Sequence, residues 1–226
     1  MNAAEKQALL TQTVERIRRA QLEFHDYFIQ LVYRAADIAG VESVFQRISK
    51  ADDDEALDHL MAIKYGVLFK DLGFLPRFEP TGSKGPDLMV ERDGVSAFVE
   101  VRRYRPKQGE YIPESDGHDT FPQYGDPLRA QTRIAKDLLS KLRQIEPRNS
   151  VEHGILAVWS DREFYEEVEF ECAVRQISSE AERKHLRFCI FGSDYVNIGR
   201  QQRFYCEPIG LLATFNSWIE DLRGAS

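Results

Sequence analysis

The 226-residue chain lacks the long apolar run that a membrane-spanning segment requires, and its first residues, MNAAEKQALLTQT, lack the apolar core of a signal peptide. Cysteine is scarce as well. Cys172, Cys189 and Cys206 are an odd number at wide spacing, which does not suit a disulfide framework or a zinc site. These absences predict a protein of the reducing cytoplasm that makes no contact with a membrane.

The chain also lacks an excess of positive charge, since 30 lysine and arginine residues face 37 aspartate and glutamate residues, for a net charge of −7. This balance argues against a protein that coats nucleic acid without specificity. The charge is unevenly distributed: basic residues cluster in 102–107 and 129–148, and acidic residues in 52–58 and 161–182. An acidic face opposite a basic cleft would account for both facts.

A β-hairpin is the strongest local prediction. Within residues 85–102, two short strands rich in apolar residues flank Asp93-Gly94, the strongest short-range signal for a two-residue hairpin turn. If no bulge interrupts the strands, the register set by that turn places Asp87 directly opposite Glu100. The Cβ atoms of such a pair lie about 5 Å apart, and like charges there destabilise a hairpin unless a cation lies between them.

Two cations could take this position. A divalent metal ion is one, because Mg²⁺ prefers hard oxygen ligands and is commonly held by one or two carboxylates with water and a substrate phosphate. The other is the guanidinium group of Arg102, which lies two residues past Glu100 on the same face and diagonally across from Asp87. It could bridge both acids with no metal present. The first cation predicts a catalytic site, and the second a structural ion triad.

The dipeptide Pro86-Asp87, followed after a hairpin by Glu100-Val101-Arg102, resembles the motif of the PD-(D/E)xK nuclease superfamily, which has the restriction-endonuclease-like fold. The resemblance implies that Asp87 and Glu100 are catalytic residues that bind Mg²⁺ or Mn²⁺. It also implies that Arg102 stands where the superfamily carries a catalytic lysine. Because arginine stays protonated, Arg102 cannot act as a base, but it can contact the scissile phosphate and stabilise charge there.

The predicted order of elements is that of the superfamily core: a helix, three antiparallel strands, a helix and a strand. These elements correspond to residues 55–72, to residues 74–79 with the hairpin, to residues 127–144 and to residues 154–160. We therefore predict an α/β fold with a restriction-endonuclease-like core, in which a central mixed sheet is flanked by helices. This domain would span residues 51–226 and follow a helical N-terminal extension of residues 1–50.

Further site residues are predicted on the flanking elements. The resemblance implies a glutamate of the first core helix in the metal shell, and Glu55 or Asp58 is placed for that role, although acids are common in the first turn of any helix. Lys136 on the second core helix is a candidate catalytic substitute for the motif lysine. The predicted substrate-binding residues, which could also be solvated surface groups, are Lys84, Arg103, Lys107, Gln131 and Arg133. Residues 104–124 interleave basic and aromatic side chains and predict a loop that faces nucleic acid.

Outside this core, residues 5–39 predict one long helix with an apolar stripe that either packs on the domain or forms a homodimer. Gly40 ends that helix, and a short helix over residues 41–49 follows. Towards the C-terminus the pattern predicts a helix, two strands and a helix, at residues 164–185, 187–191, 203–207 and 211–222.

The predicted function is Mg²⁺-dependent hydrolysis of phosphodiester bonds, with DNA as the partner. The alternative is a catalytically inactive nuclease-fold module that binds nucleic acid or a protein partner, as an adaptor or immunity-type protein would. The two functions differ in the cation that lies between Asp87 and Glu100. Both remain open, because the sequence does not identify that cation.

Overall fold

A computed structural model describes residues 2–20, 25–82, 84–104, 127–160, 167–178, 185–194, 202–209 and 213–225. The chain forms two compact units, of which the first comprises Met1–Arg102 and Pro147–His153 and the second comprises Arg103–Glu146 and Gly154–Ser226. Helices and strands occur in both units, which confirms the predicted α/β class. The predicted boundary near residue 50 stays a prediction.

Four helices begin the first unit: α1 (Ala3–Arg19), α2 (His25–Ala35), α3 (Val41–Lys50) and α4 (Asp53–Asp71). The prediction of one long helix over residues 5–39 is wrong, because α1 ends at Arg19 and packs against α2. The stop signal is a cluster of arginines, Arg16, Arg18 and Arg19, whose positive charge suits the C-terminal end of a helix dipole. The apolar stripe of α1 is buried within the first unit at Leu10, Val14 and Ile17, in line with the packing alternative.

Local signals explain where the other helices of this unit start. Asp52 caps α4 by accepting a hydrogen bond from the backbone N–H of Glu55 at 2.8 Å, which satisfies one of the free donors of the first turn. Gly40 precedes α3 with φ of +81°, and a Cβ atom there would lie 2.4 Å from the carbonyl oxygen of Phe78. Only glycine meets both requirements without displacing the backbone.

Three antiparallel strands complete the first unit: β1 (Leu75–Phe78), β2 (Leu88–Arg92) and β3 (Val95–Tyr104), whose last two residues belong to the second unit. Phe78 pairs with Leu88, and Leu88 with Val99, so these buried side chains share one face of the three strands. Helix α4 packs closely against β1, since a Cβ atom on Gly66 would lie 2.6 Å from the ring of Phe78. The apolar core of this unit therefore lies between α4 and this face.

The second unit contains α5 (Pro127–Lys141), a 3₁₀ turn (Leu142–Ile145), β4 (His153–Ser160), α6 (Glu167–Ser178), β5 (Leu186–Asp194), β6 (Gln202–Pro208) and α7 (Ala213–Gly224). Strand β4 pairs with β5 in parallel and β5 with β6 in antiparallel orientation, so this unit has the predicted mixed pairing. The predicted strands and closing helix are confirmed within a few residues. Beyond α6, the ends of the predicted helix over residues 164–185 lie outside the described residues.

Aromatic side chains form much of the second core. The Phe170 and Phe191 rings stack with centroids 5.1 Å apart, and the Phe215 and Trp218 rings meet edge to face at 4.8 Å. Burial raises the pKa of Cys206 to about 12, so its thiol stays protonated and unreactive. Within the described parts of the chain, no helix combines the length and the apolar character needed to cross a membrane.

Candidate functional site

The turn of the β2–β3 hairpin has the predicted geometry. Asp93 and Gly94 have φ of +55° and +75°, the left-handed values that a two-residue type I′ turn requires. The pairing runs without a bulge from Arg92 opposite Val95 to Leu88 opposite Val99. The predicted register is thus confirmed along the whole of β2.

The open end of the hairpin, which we define as Asp87, Glu100 and their strand neighbours, is the candidate site. Asp87 is the next position after Leu88, so the same register sets it opposite Glu100. Its backbone carbonyl accepts a hydrogen bond from the Glu79 N–H at 2.9 Å, and its carboxylate Oδ2 accepts one from the Val101 N–H at 2.8 Å. These two bonds hold Asp87 between its neighbouring strands and turn its carboxylate towards β3.

The side chains of Asp87 and Glu100 differ in their exposure to solvent. Asp87 is half-buried, whereas Glu100 is only 2% exposed and follows the fully buried Val99 on β3. A carboxylate is almost never buried to this degree without a compensating charge or hydrogen bonds, because removing it from water is costly. The open end therefore concentrates negative charge at a place of low dielectric constant, where it interacts strongly with any cation that is present.

Arg102 and Arg103 differ sharply in exposure. The side chain of Arg102 is exposed, on the same face of β3 as Glu100. Arg103 is 7% exposed, which leaves its guanidinium group little surface to offer a nucleic acid. The substrate-binding role of Arg103 stays a prediction.

The structure adds Arg148, which the sequence did not single out. Its guanidinium carbon lies 5.5 Å from the centroid of the Phe98 ring, and Phe98 shares a face of β3 with Glu100. Its Nη2 lies 3.1 Å from the position that a Cβ atom on Gly85 would take, two residues before Asp87. Arg148 is therefore close both to β3 and to the loop that precedes Asp87. The available signal was the turn-forming dipeptide Asn149-Ser150 after it.

Lys64 is another buried cation of the first unit. It lies on α4, it is 2% exposed, and its ammonium nitrogen is 5.3 Å from the centroid of the Tyr27 ring. Lysine is almost never fully buried unless it is paired, so this position also calls for interacting groups.

The carboxylate oxygen atoms at the open end are of the kind that Mg²⁺ and Mn²⁺ ions prefer as ligands. Two carboxylates supply hard oxygen atoms, and the Asp87 carboxylate accepts a hydrogen bond from the Val101 N–H. Among the described residues, however, no group of three or more histidine, cysteine, aspartate or glutamate side chains is arranged to hold a metal ion. The fit is therefore to an ion held by two carboxylates, with water and substrate as its other ligands.

Glu55, the predicted third ligand, lies in a different place. It lines the α3–α4 groove, a cavity of about 440 Å³ whose wall consists of Ser43, Gln46, Arg47, Lys50, Ala51, Glu55, His59 and Glu79. Arg47 forms an ion pair with Glu79 in this groove. Burial, and then the charge of Arg47, lower the pKa of His59. A three-carboxylate cluster of Asp87, Glu100 and Glu55 is not assembled among the described residues, because α4 packs on the other face of the strands.

The remaining predicted residues are placed as follows. Lys84 is exposed in the turn that precedes Asp87. Gln131, Arg133 and Lys136 lie on α5 of the second unit, where Lys136 is exposed and the guanidinium carbon of Arg133 lies 5.6 Å from the Tyr104 ring centroid. Their roles at the carboxylate pair stay predictions. Lys107 and the rest of the predicted loop after Tyr104 lie outside the described residues.

Comparisons of the chain with protein-family models, with curated proteins and with solved structures find no significant match. No relative therefore contributes to the functional argument. That argument depends on the register of the hairpin, on the burial of Glu100 and on the cations packed nearby.

Proposed function

We propose that this chain is a Mg²⁺- or Mn²⁺-dependent nuclease of restriction-endonuclease-like fold that hydrolyses phosphodiester bonds in DNA in the cytoplasm. The observation that carries the proposal is the pair of carboxylates at the open end of the hairpin. A regular register sets Asp87 opposite Glu100, and Glu100 is 2% exposed. Nothing in the packing of an ordinary hairpin favours two like charges at opposed positions.

Each residue of the pair has a distinct task in this proposal. Asp87 and Glu100 would hold the metal ion, which lowers the pKa of a bound water and stabilises the charge that develops on the phosphate. The Val101 N–H fixes the orientation of the Asp87 carboxylate. The burial of Glu100 keeps its carboxylate out of bulk water, so its attraction for a cation is weakly screened.

Basic side chains would position the substrate. Arg102 is exposed on the same face as Glu100 and stays charged, so it would contact the phosphate rather than remove a proton. Lys84, exposed just before Asp87, would contact the backbone of the nucleic acid. In the second unit, Gln131, Arg133 and Lys136 are the proposed further contacts, with Lys136 the candidate for the motif lysine.

The test compares Glu100→Gln with Glu91→Gln. Both changes replace a carboxylate by an amide of similar shape, but Glu91 is opposite Ser96 rather than an acid. Mn²⁺ binding is measured by calorimetry, and cleavage is measured on plasmid and single-stranded DNA. We expect wild type and Glu91→Gln to bind Mn²⁺ and to cleave DNA. Glu100→Gln should bind Mn²⁺ at least about 10-fold more weakly, because losing even a residue that only supports a ligand costs 10–100-fold.

The catalytically inactive module is the second candidate. The observation that favours it is the presence of arginine at two positions beside the pair, Arg102 and Arg148, since a guanidinium group can bridge carboxylates without a metal. In that case wild type binds no Mn²⁺ and cleaves neither DNA substrate. Binding of oligonucleotides or of a protein partner would then be its whole activity.

A further inference from the structure

We propose that Arg148 is the residue that holds a phosphate group of the nucleic acid at the open end of the hairpin. This inference depends on the proposed function, because it names a further contact of the same site with its substrate. It adds a residue outside the β2–β3 hairpin to the phosphate contact proposed for Arg102.

The backbone of Arg148 is fixed by a tight turn. Its N–H donates to the carbonyl of Val151 at 3.1 Å, and the Val151 N–H donates back to the carbonyl of Arg148 at 2.9 Å. Asn149 and Ser150 between them have φ of +52° and +68°, as in a type I′ turn. This turn belongs to the first unit, together with Asp87 and Glu100. The side chain of Arg148 therefore starts from an anchored position.

The guanidinium group lies near β3 and near the loop that leads into Asp87. On the β3 side it is 5.5 Å from the centroid of the Phe98 ring, and on the loop side its Nη2 is 3.1 Å from the Cβ position of Gly85. Phe98 precedes Glu100 by two residues, and Gly85 precedes Asp87 by two. An aromatic ring attracts a guanidinium group over its face, which limits the orientations that the group can take.

This arrangement suits a phosphate ligand. A planar guanidinium group presents paired N–H donors that match phosphate oxygens, and it stays charged at any relevant pH. Arg148 is half-buried, so its contact with Phe98 leaves part of the side chain accessible. Arg102, in contrast, is exposed on β3. A cation held in place before the substrate arrives loses less conformational entropy on binding than a mobile one.

Three variants test the inference. Arg148→Gln removes the charge, Arg148→Lys keeps the charge but not the fork of donors, and Arg18→Gln removes an exposed arginine of α1 as the matched control. The affinity for a fluorescent duplex oligonucleotide is measured by anisotropy in EDTA over a series of salt concentrations, Mn²⁺ binding by calorimetry and folding by thermal melting. The EDTA condition separates phosphate binding from catalysis.

We expect Arg148→Gln to bind the oligonucleotide at least about 10-fold more weakly than wild type. The slope of log affinity against log salt concentration should also become less steep by about 0.9, because one phosphate contact is lost. Arg148→Lys should keep the salt dependence but bind more weakly than wild type, and Arg18→Gln should match wild type. The Mn²⁺ affinity should not fall in any of the three. If Arg148→Gln does not fold, the oligonucleotide affinity of Arg148→Lys relative to wild type is the test of the inference.

The inference is wrong if Arg148→Gln or, where that variant is unfolded, Arg148→Lys binds the oligonucleotide as Arg18→Gln does. That result, obtained while wild type binds Mn²⁺ and cleaves DNA, leaves the proposed function intact. If wild type binds neither Mn²⁺ nor the oligonucleotide, the proposed function and this inference both fail. The two failures are therefore distinguishable in one set of measurements.

Discussion

Two regions of the first unit collect charged residues, the open end of the β2–β3 hairpin and the α3–α4 groove, and they do so in different ways. In the groove, the Glu79 side chain is 12% exposed and forms an ion pair with Arg47, and Glu55 is exposed at the first turn of α4. At the open end, Glu100 is 2% exposed and opposes a second acid.

The difference separates two kinds of charge in a folded chain. An acid at a helix end is stabilised by the helix dipole and by solvation, and a largely buried acid in an ion pair is compensated by the charge of its partner. An acid that is buried opposite another acid lowers the stability of the fold unless a cation compensates it. Burial and register, rather than the presence of a carboxylate, therefore identify Asp87 and Glu100 as the candidate site and remove Glu55 from it.

The largest effect on stability is expected for Phe98→Ala. Phe98 is 1% exposed and its ring contacts the Arg148 guanidinium, so the change should lower the free energy of unfolding by about 3–5 kcal/mol in urea unfolding. Phe45→Ala, at a fully buried position of α3, is the matched control. Under conditions where both variants are folded, Phe98→Ala should weaken oligonucleotide binding and Phe45→Ala should not. Equal binding by the two variants would contradict the role given to the open end.

A smaller effect is expected when Asp87 is changed. Asp87→Ala removes the acceptor of the Val101 N–H, so we expect a loss of about 1–3 kcal/mol in the free energy of unfolding. Asp87→Asn can still accept that bond through its amide oxygen and should lose less than 1 kcal/mol, roughly. Both variants should nevertheless lose Mn²⁺ binding in calorimetry.

The corresponding change in the groove is Glu55→Ala. It should leave Mn²⁺ binding unchanged, because Glu55 lines the α3–α4 groove rather than the open end. Loss of Mn²⁺ binding in Glu55→Ala would show that the two regions form one metal site and would remove the distinction between them.

The smallest expected effect is a pH dependence from the groove. Burial, and then the charge of Arg47, lower the pKa of His59 in the folded state below its ordinary value of 6.5. Between the folded and the unfolded pKa of His59, this residue binds more protons in the unfolded chain than in the folded protein. The free energy of unfolding therefore falls as the pH falls through this range. His59→Gln should show a weaker loss of stability between about pH 7 and pH 5, measured by urea midpoints. His185, whose pKa is also lowered, is present in both proteins and cancels in the difference.

The hairpin could be predicted from sequence because its information is local. Asp93-Gly94 specifies the turn, and a regular register then places Asp87 and Glu100 with no knowledge of the rest of the fold. Arg148 could not be predicted, because its contacts with Gly85 and Phe98 join segments that are distant in the chain. The helical pattern over residues 5–39 misled for a related reason: α1 and α2 bury stripes of the same period, and periodicity alone does not mark where one helix ends.

We propose that a divalent metal ion, and not an arginine, lies between Asp87 and Glu100. The most direct measurement is the anomalous diffraction of manganese in crystals grown with Mn²⁺. The account predicts an anomalous peak bonded to carboxylate oxygens of both residues, and no such peak at Glu55. A guanidinium group of Arg102 or Arg148 in that position, with no manganese peak beside it, would contradict the account.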